Sequence, residues 1–156
     1  MYIFGDIGNS ETKIYLVNTN DIIIKNITFS TEKINNKILK YKFKLLINDF
    51  TKINKILFCS VVPKSFKLIK NFLKKKTKKI CYEVKDLDLK SLISINVNFK
   101  QLGSDRLTNA ISLLNNNNNF IILDFGTATT FDVVIKRNYK GGIIAPGIKV
   151  SLATLS

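Results

Sequence analysis

One segment of the chain occurs twice. Phe4-Gly-Asp-Ile-Gly-Asn-Ser-Glu-Thr-Lys-Ile-Tyr-Leu-Val17 can be laid without a gap over Ile122 to Ile135, which sets Asp6 on Asp124, Gly8 on Gly126 and Thr12 on Thr130. Tyr15 to Val17 then fall on Val133 to Ile135. Each copy reads as a strand, an Asp-x-Gly turn with small hydroxyl or amide residues, and a returning strand. Two copies, each opening a sheet, predict a duplicated architecture with a cleft between its halves.

The repeated turn has a chemical sense. A glycine permits a tight hairpin whose backbone N–H groups can approach a phosphate, and an aspartate at the strand end can hold a hydrated Mg²⁺. Magnesium keeps most of its waters and takes one or two protein carboxylates, so Asp6 and Asp124 are a sufficient pair. A single Asp-x-Gly suits any hairpin. Two copies in matching strand contexts favour the phosphate reading.

Around the repeats the chain alternates strands and helices. Residues 1 to 7, 11 to 17 and 21 to 29 read as a three-stranded meander broken at Gly8-Asn9-Ser10 and at 18–21. Ile34, Ile38, Phe43, Leu46 and Ile47 lie near helical spacing behind a cap candidate at Ser30 or Thr31. Lys55 to Val62 reads as a buried strand ended by Pro63, then comes a short helix with Phe66, Ile69 and Leu73 on one face, then a strand at Ile80 to Val84. From Leu102 a helix of roughly a dozen residues turns Leu107, Ala110, Ile111 and Leu114 inward, at helical spacing. The run Asn115 to Asn119 is a connector, and strands follow at 120–124, 129–136 and 139–145, with a helix starting at Pro146. The expected fold class is therefore α/β, a mixed sheet with flanking helices, duplicated, the second half incomplete. The division is drawn at 1–115 and 116–156.

Composition removes several chemistries. There is no histidine, so a Ser-His-Asp or Cys-His mechanism is out and a general base must be a carboxylate, lysine or tyrosine. Cys59 and Cys81 have no metal-type spacing and read as buried small hydrophobes. No apolar run is long enough to span a bilayer and no signal-type stretch opens the chain, so the expectation is a cytoplasmic protein without membrane contact. The net charge of +14 invites a nucleic-acid reading. Against it, of 25 basic residues only Arg106 and Arg137 are arginine, and lysine, asparagine and isoleucine are in joint excess. An AT-rich coding sequence produces that excess without selection for a binding surface. Lys74 to Lys79, the densest cluster, reads as the end of a helix, where cations complement the dipole.

Taken together, Asp6-Ile-Gly-Asn-Ser-Glu-Thr-Lys13, Leu102-Gly-Ser-Asp-Arg-Leu-Thr-Asn109, Asp124-Phe-Gly-Thr-Ala-Thr-Thr130 and Gly141-Gly-Ile-Ile-Ala-Pro-Gly147 resemble, in order and approximate spacing, the type III pantothenate kinases of the actin-like ATPase superfamily, whose core is ribonuclease H-like. The Gly-x-Asp-Arg helix start just before the second hairpin is the most specific element. The resemblance implies transfer of the ATP γ-phosphoryl group to the primary hydroxyl of pantothenate. It implies Asp105 as general base, and Gly103, Ser104, Asp105 and Arg106 as substrate-binding, with Arg106 on the substrate carboxylate. It further implies Asp6, Gly8, Asn9, Ser10 and Lys13 in a first phosphate-binding hairpin, and Gly126, Thr127 and Thr130 in a second. Mg²⁺ with ATP falls to Asp6 and Asp124, a monovalent cation (K⁺ or NH₄⁺) sits near the second hairpin, and the full-length form is a homodimer. An arginine is a fitting choice for a carboxylate, since its planar fork pairs one in a way that lysine does not. Apart from the resemblance, Ser104 and Asp105 also read as helix caps, Lys13 as an exposed strand lysine, and the glycines near 141–147 as a strand end and turn.

Relatives of this kind extend further at the C-terminus, so the chain reads as a fragment or as a protein that has lost ATP-side residues, with an open second sheet and marginal stability. Two alternatives stand beside the kinase. One is a non-catalytic transcription accessory factor; retention of Asp6, Asp105, Arg106 and Asp124 argues against it. The other is a different actin-like enzyme, a sugar kinase or polyphosphate phosphatase, for which the Gly-Ser-Asp-Arg segment would differ.

Overall fold

The computed structural model describes residues 1–114 and 118–154, and the chain divides into two compact units, Met1–Leu87 and Asp88–Ser156. Among the described residues no helix is long and apolar enough to cross a membrane. Asn115 to Asn117, most of the expected connector, lie outside the described residues.

The first unit is built on β1 (Tyr2–Ile7), β2 (Glu11–Val17) and β3 (Ile23–Ser30), an antiparallel meander as the sequence predicts. Strands β4 (Lys55–Ser60) and β5 (Cys81–Glu83) extend the sheet parallel to β1, giving the order β3-β2-β1-β4-β5. Helices α1 (Asn36–Leu46) and α2 (Pro63–Thr77) supply the hydrophobic cover. Leu39, Phe43, Ile69 and Leu73 join Ile3, Ile7, Ile14, Ile56 and Phe58 in one core. These are the alternate residues of the strands and the 3.6-period residues of the helices, so the patterning positions the core directly.

Two expectations about the helices are corrected. The cap of α1 is Asn35, whose side chain accepts from the Ile38 N–H, rather than Ser30 or Thr31. Ser30 still belongs to β3, and the Thr31 hydroxyl is committed to the first hairpin. Helix α2 is longer than a short helix: it starts on Pro63 at its first turn, takes Lys74 to Lys76 into its last turn and ends on Lys78 in the left-handed region at φ 60°. The lysine cluster thus lies at the negative end of the helix dipole, as anticipated.

The second unit carries β6 (Ser94–Ile95), β7 (Asn119–Phe125), β8 (Ala128–Ile135) and β9 (Asn138–Pro146) in the order β6-β9-β8-β7. β7, β8 and β9 form a second antiparallel meander, and β6, which the sequence did not reveal, is parallel to β9. Helix α3 (Ser104–Ser112) packs against β8, burying Leu107 and Ala110, and a six-residue helix α4 (Ile148–Ala153) closes the described chain. Because α3 belongs with the second sheet, the compact units part well before the 115/116 division drawn from the repeat.

Register refines the repeat. In the first hairpin Ile7 faces Thr12, leaving 8–11 as the loop; in the second Phe125 faces Thr129, leaving 126–128. The second loop is shorter by one residue, so the gapless superposition slips after the turn. Thr12 corresponds to Thr129, both buried, and Lys13 to Thr130.

The two meanders differ in what covers them. Ile3 and Ile7 are buried under α1 and α2. Their counterparts on β7, Ile121 and Phe125, are 70% and 63% exposed, with Leu123 and Ile143 exposed beside them in register. This is the open second sheet expected from the sequence.

Candidate active site

Asp6 sits near the end of β1, half-buried, and its Oδ1 accepts from the Cys59 thiol at 3.2 Å. Lys13 stands directly across from it on β2, exposed. The turn between them is held from beneath. Thr31 Oγ1 donates to the Gly8 carbonyl at 2.8 Å, Thr12 and Thr31 hydroxyls are 2.9 Å apart, and the Thr31 N–H donates to the Ser10 carbonyl. Gly8 itself is not left-handed; its N–H donates to the Glu11 carbonyl, and a Cβ there would meet that oxygen at 3.2 Å. Asn9 and Ser10 are exposed at the tip. The sequence offers Thr31 only as a helix-cap candidate, and its hold on this hairpin is hidden because it falls outside the repeat.

In the second unit Gly103 caps α3 in extended geometry without a side-chain cap bond. Ser104 is already inside the helix and buried, its carbonyl accepting from the Thr108 hydroxyl, so Ser104 does not cap. Asp105 does part of that work: its Oδ1 accepts from the Arg106 N–H at 2.8 Å, at the positive end of the helix dipole. Asp124 is the penultimate residue of β7, exposed, and its Oδ2 accepts from the Asn109 amide at 3.1 Å. Asp124 and Thr130 are cross-strand partners, and the buried Thr130 hydroxyl has no hydrogen-bond partner among the described residues. Gly126 accommodates a Cβ at 3.5 Å from the Ala128 carbonyl, an ordinary contact. Gly147 is tighter: a Cβ there would lie 2.3 Å from the Thr127 carbonyl and 2.6 Å from that of Gly126. The glycine that lets this hairpin pack is therefore Gly147, beneath Thr127.

The strongest electrostatic feature was not visible in the motifs. Asp132 on β8 is fully buried and takes three contacts at one oxygen. Arg106 Nε donates to its Oδ1 at 2.8 Å, Arg106 Nη2 lies 2.6 Å away as an ion-pair contact outside hydrogen-bonding angles, and the Tyr139 hydroxyl donates to the same oxygen. The Asp132 hydrogen bond holds the Arg106 guanidinium above its already high ordinary pKa, while burial and the same carboxylate push the Tyr139 phenol up. Arg106 is thereby a fixed cation and Tyr139 a fixed donor. Gly142 makes room for the pair, since a Cβ there would meet Phe131 O at 1.9 Å, Arg106 Nη2 at 2.7 Å and Asp132 Oδ1 at 2.8 Å. An aspartate inside the apolar run Phe131 to Ile135 was the available signal.

Asp6 and Asp124 offer hard oxygen donors, and each keeps one carboxylate oxygen with no hydrogen bond among the described residues, which suits a hydrated Mg²⁺. No cluster of three or more acidic, cysteine or histidine side chains that could hold a metal ion occurs among the described residues.

The chain resembles proteins of known sequence along its whole length. It is 60% identical over 156 residues to the type III pantothenate kinase of Pelagibacter ubique (strain HTCC1062), covering all of this chain and 63% of that protein. To the type III pantothenate kinase of Sulfurihydrogenibium sp. (strain YO3AOP1) it is 36% identical, over 99% of this chain and 64% of that one. The chain thus spans under two thirds of the curated relatives it matches. Among solved structures, a protein named as a Baf family transcriptional activator from Campylobacter jejuni aligns with TM-score 0.55 and 21% identity, over 99% of this chain and 60% of that one. A Ppx/GppA phosphatase from Aquifex aeolicus aligns with TM-score 0.54 and 14% identity, over 98% and 54%. These likenesses carry the fold alone, a mixed α/β arrangement of sheets and helices. The family model for type III pantothenate kinase matches residues 2–156, which take in both hairpins and the Asp105–Arg106 helix start, and the chain belongs to that family.

Proposed function

We propose that the chain supplies the phosphoryl-transfer residues of a pantothenate kinase, passing the γ-phosphoryl group of ATP to the primary hydroxyl of pantothenate in the first step of coenzyme A synthesis. The observation that carries this reading is the first turn of α3, where Asp105 and Arg106 are consecutive and Arg106 is anchored on Asp132. Consecutive helical residues point about 100° apart, so the two side chains reach different parts of one bound molecule, a hydroxyl for Asp105 and a carboxylate for Arg106. Asp105 takes the hydroxyl proton as the oxygen forms its bond to the γ-phosphorus; the bond from that phosphorus to the β–γ bridging oxygen breaks and ADP leaves. Positioning and charge neutralisation are most of what such a reaction requires.

The two hairpins take the nucleotide phosphates, through Asp6, Gly8, Asn9, Ser10 and Lys13 in the first and Gly126, Thr127 and Thr130 in the second. Asp6 and Asp124 are the residues that would hold Mg²⁺, which neutralises phosphate charge when bound with ATP. A monovalent cation, K⁺ or NH₄⁺, near Asp124 and a homodimeric full-length form complete the proposal.

The test is ADP release by the 156-residue chain with ATP, Mg²⁺, K⁺ and pantothenate, beside Asp105→Asn. Pantothenate-dependent turnover that falls by about a hundredfold or more in the variant supports the assignment of the base. A folded chain that releases no ADP in response to pantothenate refutes catalysis by this chain alone.

A further inference from the structure

We propose that Asp132 is a positioning residue that sets the Arg106 guanidinium for the carboxylate of the acceptor substrate. The inference rests on the pantothenate reading above and extends it to residues outside the recognised motifs. Arg106 Nε and Nη2 are both turned onto Asp132, and the remaining nitrogen, Nη1, makes no hydrogen bond among the described residues. The side chain keeps 13% of its surface exposed, whereas Asp132 has none. A guanidinium gripped along one edge presents its remaining donors in a fixed direction, and less orientational freedom is lost when a carboxylate docks.

Stability alone is a poor reason for the arrangement. Taking a carboxylate out of water costs more than an apolar side chain of the same volume, and such pairs are often replaceable by hydrophobic residues without loss. The Tyr139 hydroxyl donates to the same carboxylate oxygen, and Gly142 supplies the space in which carboxylate and guanidinium meet. Four residues on α3, β8 and β9 therefore build one device, which ends at the side chain next to the proposed base.

The chain contains two arginines, Arg106 and Arg137, so their Nε–H signals can be separated by ¹⁵N NMR. We expect the Arg106 Nε–H to resist solvent exchange in the wild type and to exchange as fast as that of exposed Arg137 in Asp132→Asn. Binding is then titrated with pantothenate and with the same molecule whose carboxylate is reduced to an alcohol. In Asp132→Asn the preference for the carboxylate compound should shrink about tenfold, the alcohol being held as in the wild type. Tyr139→Phe, which keeps the carboxylate, should shrink it about threefold and carries the test if Asp132→Asn does not fold. An unchanged preference in either folded variant overturns the proposal. So does a tighter hold on pantothenate in Asp132→Asn, which would make Asp132 a competitor for Arg106. A wild type that binds neither compound removes the pantothenate reading itself, a result distinct from a wild type that discriminates while the variants discriminate equally well.

Discussion

Thr12 and Thr31 meet through their hydroxyls at 2.9 Å in a buried position beneath the first hairpin. Thr31 has one hydroxyl proton and gives it to the Gly8 carbonyl, so Thr12 must be the donor between the two. The chain of bonds runs Thr12 to Thr31 to Gly8 and fixes the turn following Asp6. Replacing Thr31 by valine keeps the volume and leaves both the Gly8 carbonyl and the Thr12 hydroxyl without their partner. We expect a loss of about 1–3 kcal/mol in urea unfolding and, on the kinase reading proposed above, a KM for ATP that rises more than kcat falls. Thr12→Val should cost less, because Thr31 keeps its bond to Gly8.

The glycines separate motif from necessity. Gly126 belongs to the repeated motif, yet a methyl group there meets nothing closer than 3.5 Å. Gly142 and Gly147 have backbone carbonyls at 1.9 Å and 2.3 Å from the same hypothetical atom, and a carbonyl inside a paired strand or turn does not move aside. Gly126→Ala should therefore change stability by less than about 1 kcal/mol. Gly142→Ala and Gly147→Ala should each cost more than about 2 kcal/mol or prevent folding. Equal effects at all three positions, read by thermal or urea unfolding, would contradict this account.

Much of the fold was legible because its strands and helices carry clean periodicities. Ile3, Ile7 and Ile14 alternate, and Ile69 and Leu73 recur at helical spacing, so the first core could be read before the structure. The hairpins and the Asp105–Arg106 helix start were legible as motifs. What escaped detection depends on contacts between distant segments. Asp132 looks like an ordinary polar residue until β8 is placed under α3, and Thr31 looks like a helix cap until β3 brings it to Gly8. The two-residue strand β6 has too few side chains to show a period. The one-residue slip between the hairpins follows from loop length, to which a gapless comparison is blind.

Burial pushes the Cys81 thiol up to about 12, against a slight lowering by the charge of Lys70. Above the ordinary thiol value of 9.0 the unfolded chain gives up this proton while the folded chain keeps it. The folded state then binds more protons, and stability falls as pH rises. The contribution is complete below pH 9 and is lost progressively as pH rises toward 12. Urea midpoints at pH 8, 9.5 and 10.5 for the wild type and Cys81→Ala check the sign. The alanine variant should start less stable and show a shallower decline, by up to about 1.4 kcal/mol per pH unit. Parallel curves would mean that the thiol titrates normally in the fold. Native Cys81 should also stay unreactive to a thiol reagent at pH 8 and react once urea unfolds the chain.

The exposed face of the second sheet gives the sharpest contrast between the two repeats. Ile3 on β1 and Ile121 on β7 occupy equivalent positions, yet the first is fully buried and the second is 70% exposed. Burying a side chain of this size stabilises by about 1.5–3 kcal/mol, and only Ile3 realises that in this chain. A lysine at 121 can keep its ammonium in water, and one at position 3 cannot. Ile121→Lys should then leave the urea midpoint within about 0.5 kcal/mol of the wild type, while lowering binding of a hydrophobic dye and raising solubility, because it interrupts the row Ile121, Leu123, Phe125. Ile3→Lys should abolish cooperative folding of the first unit. If Ile121→Lys destabilises as strongly as Ile3→Lys, the β7 face is covered in solution, and sedimentation of the wild type over a concentration series would identify a second copy as the cover.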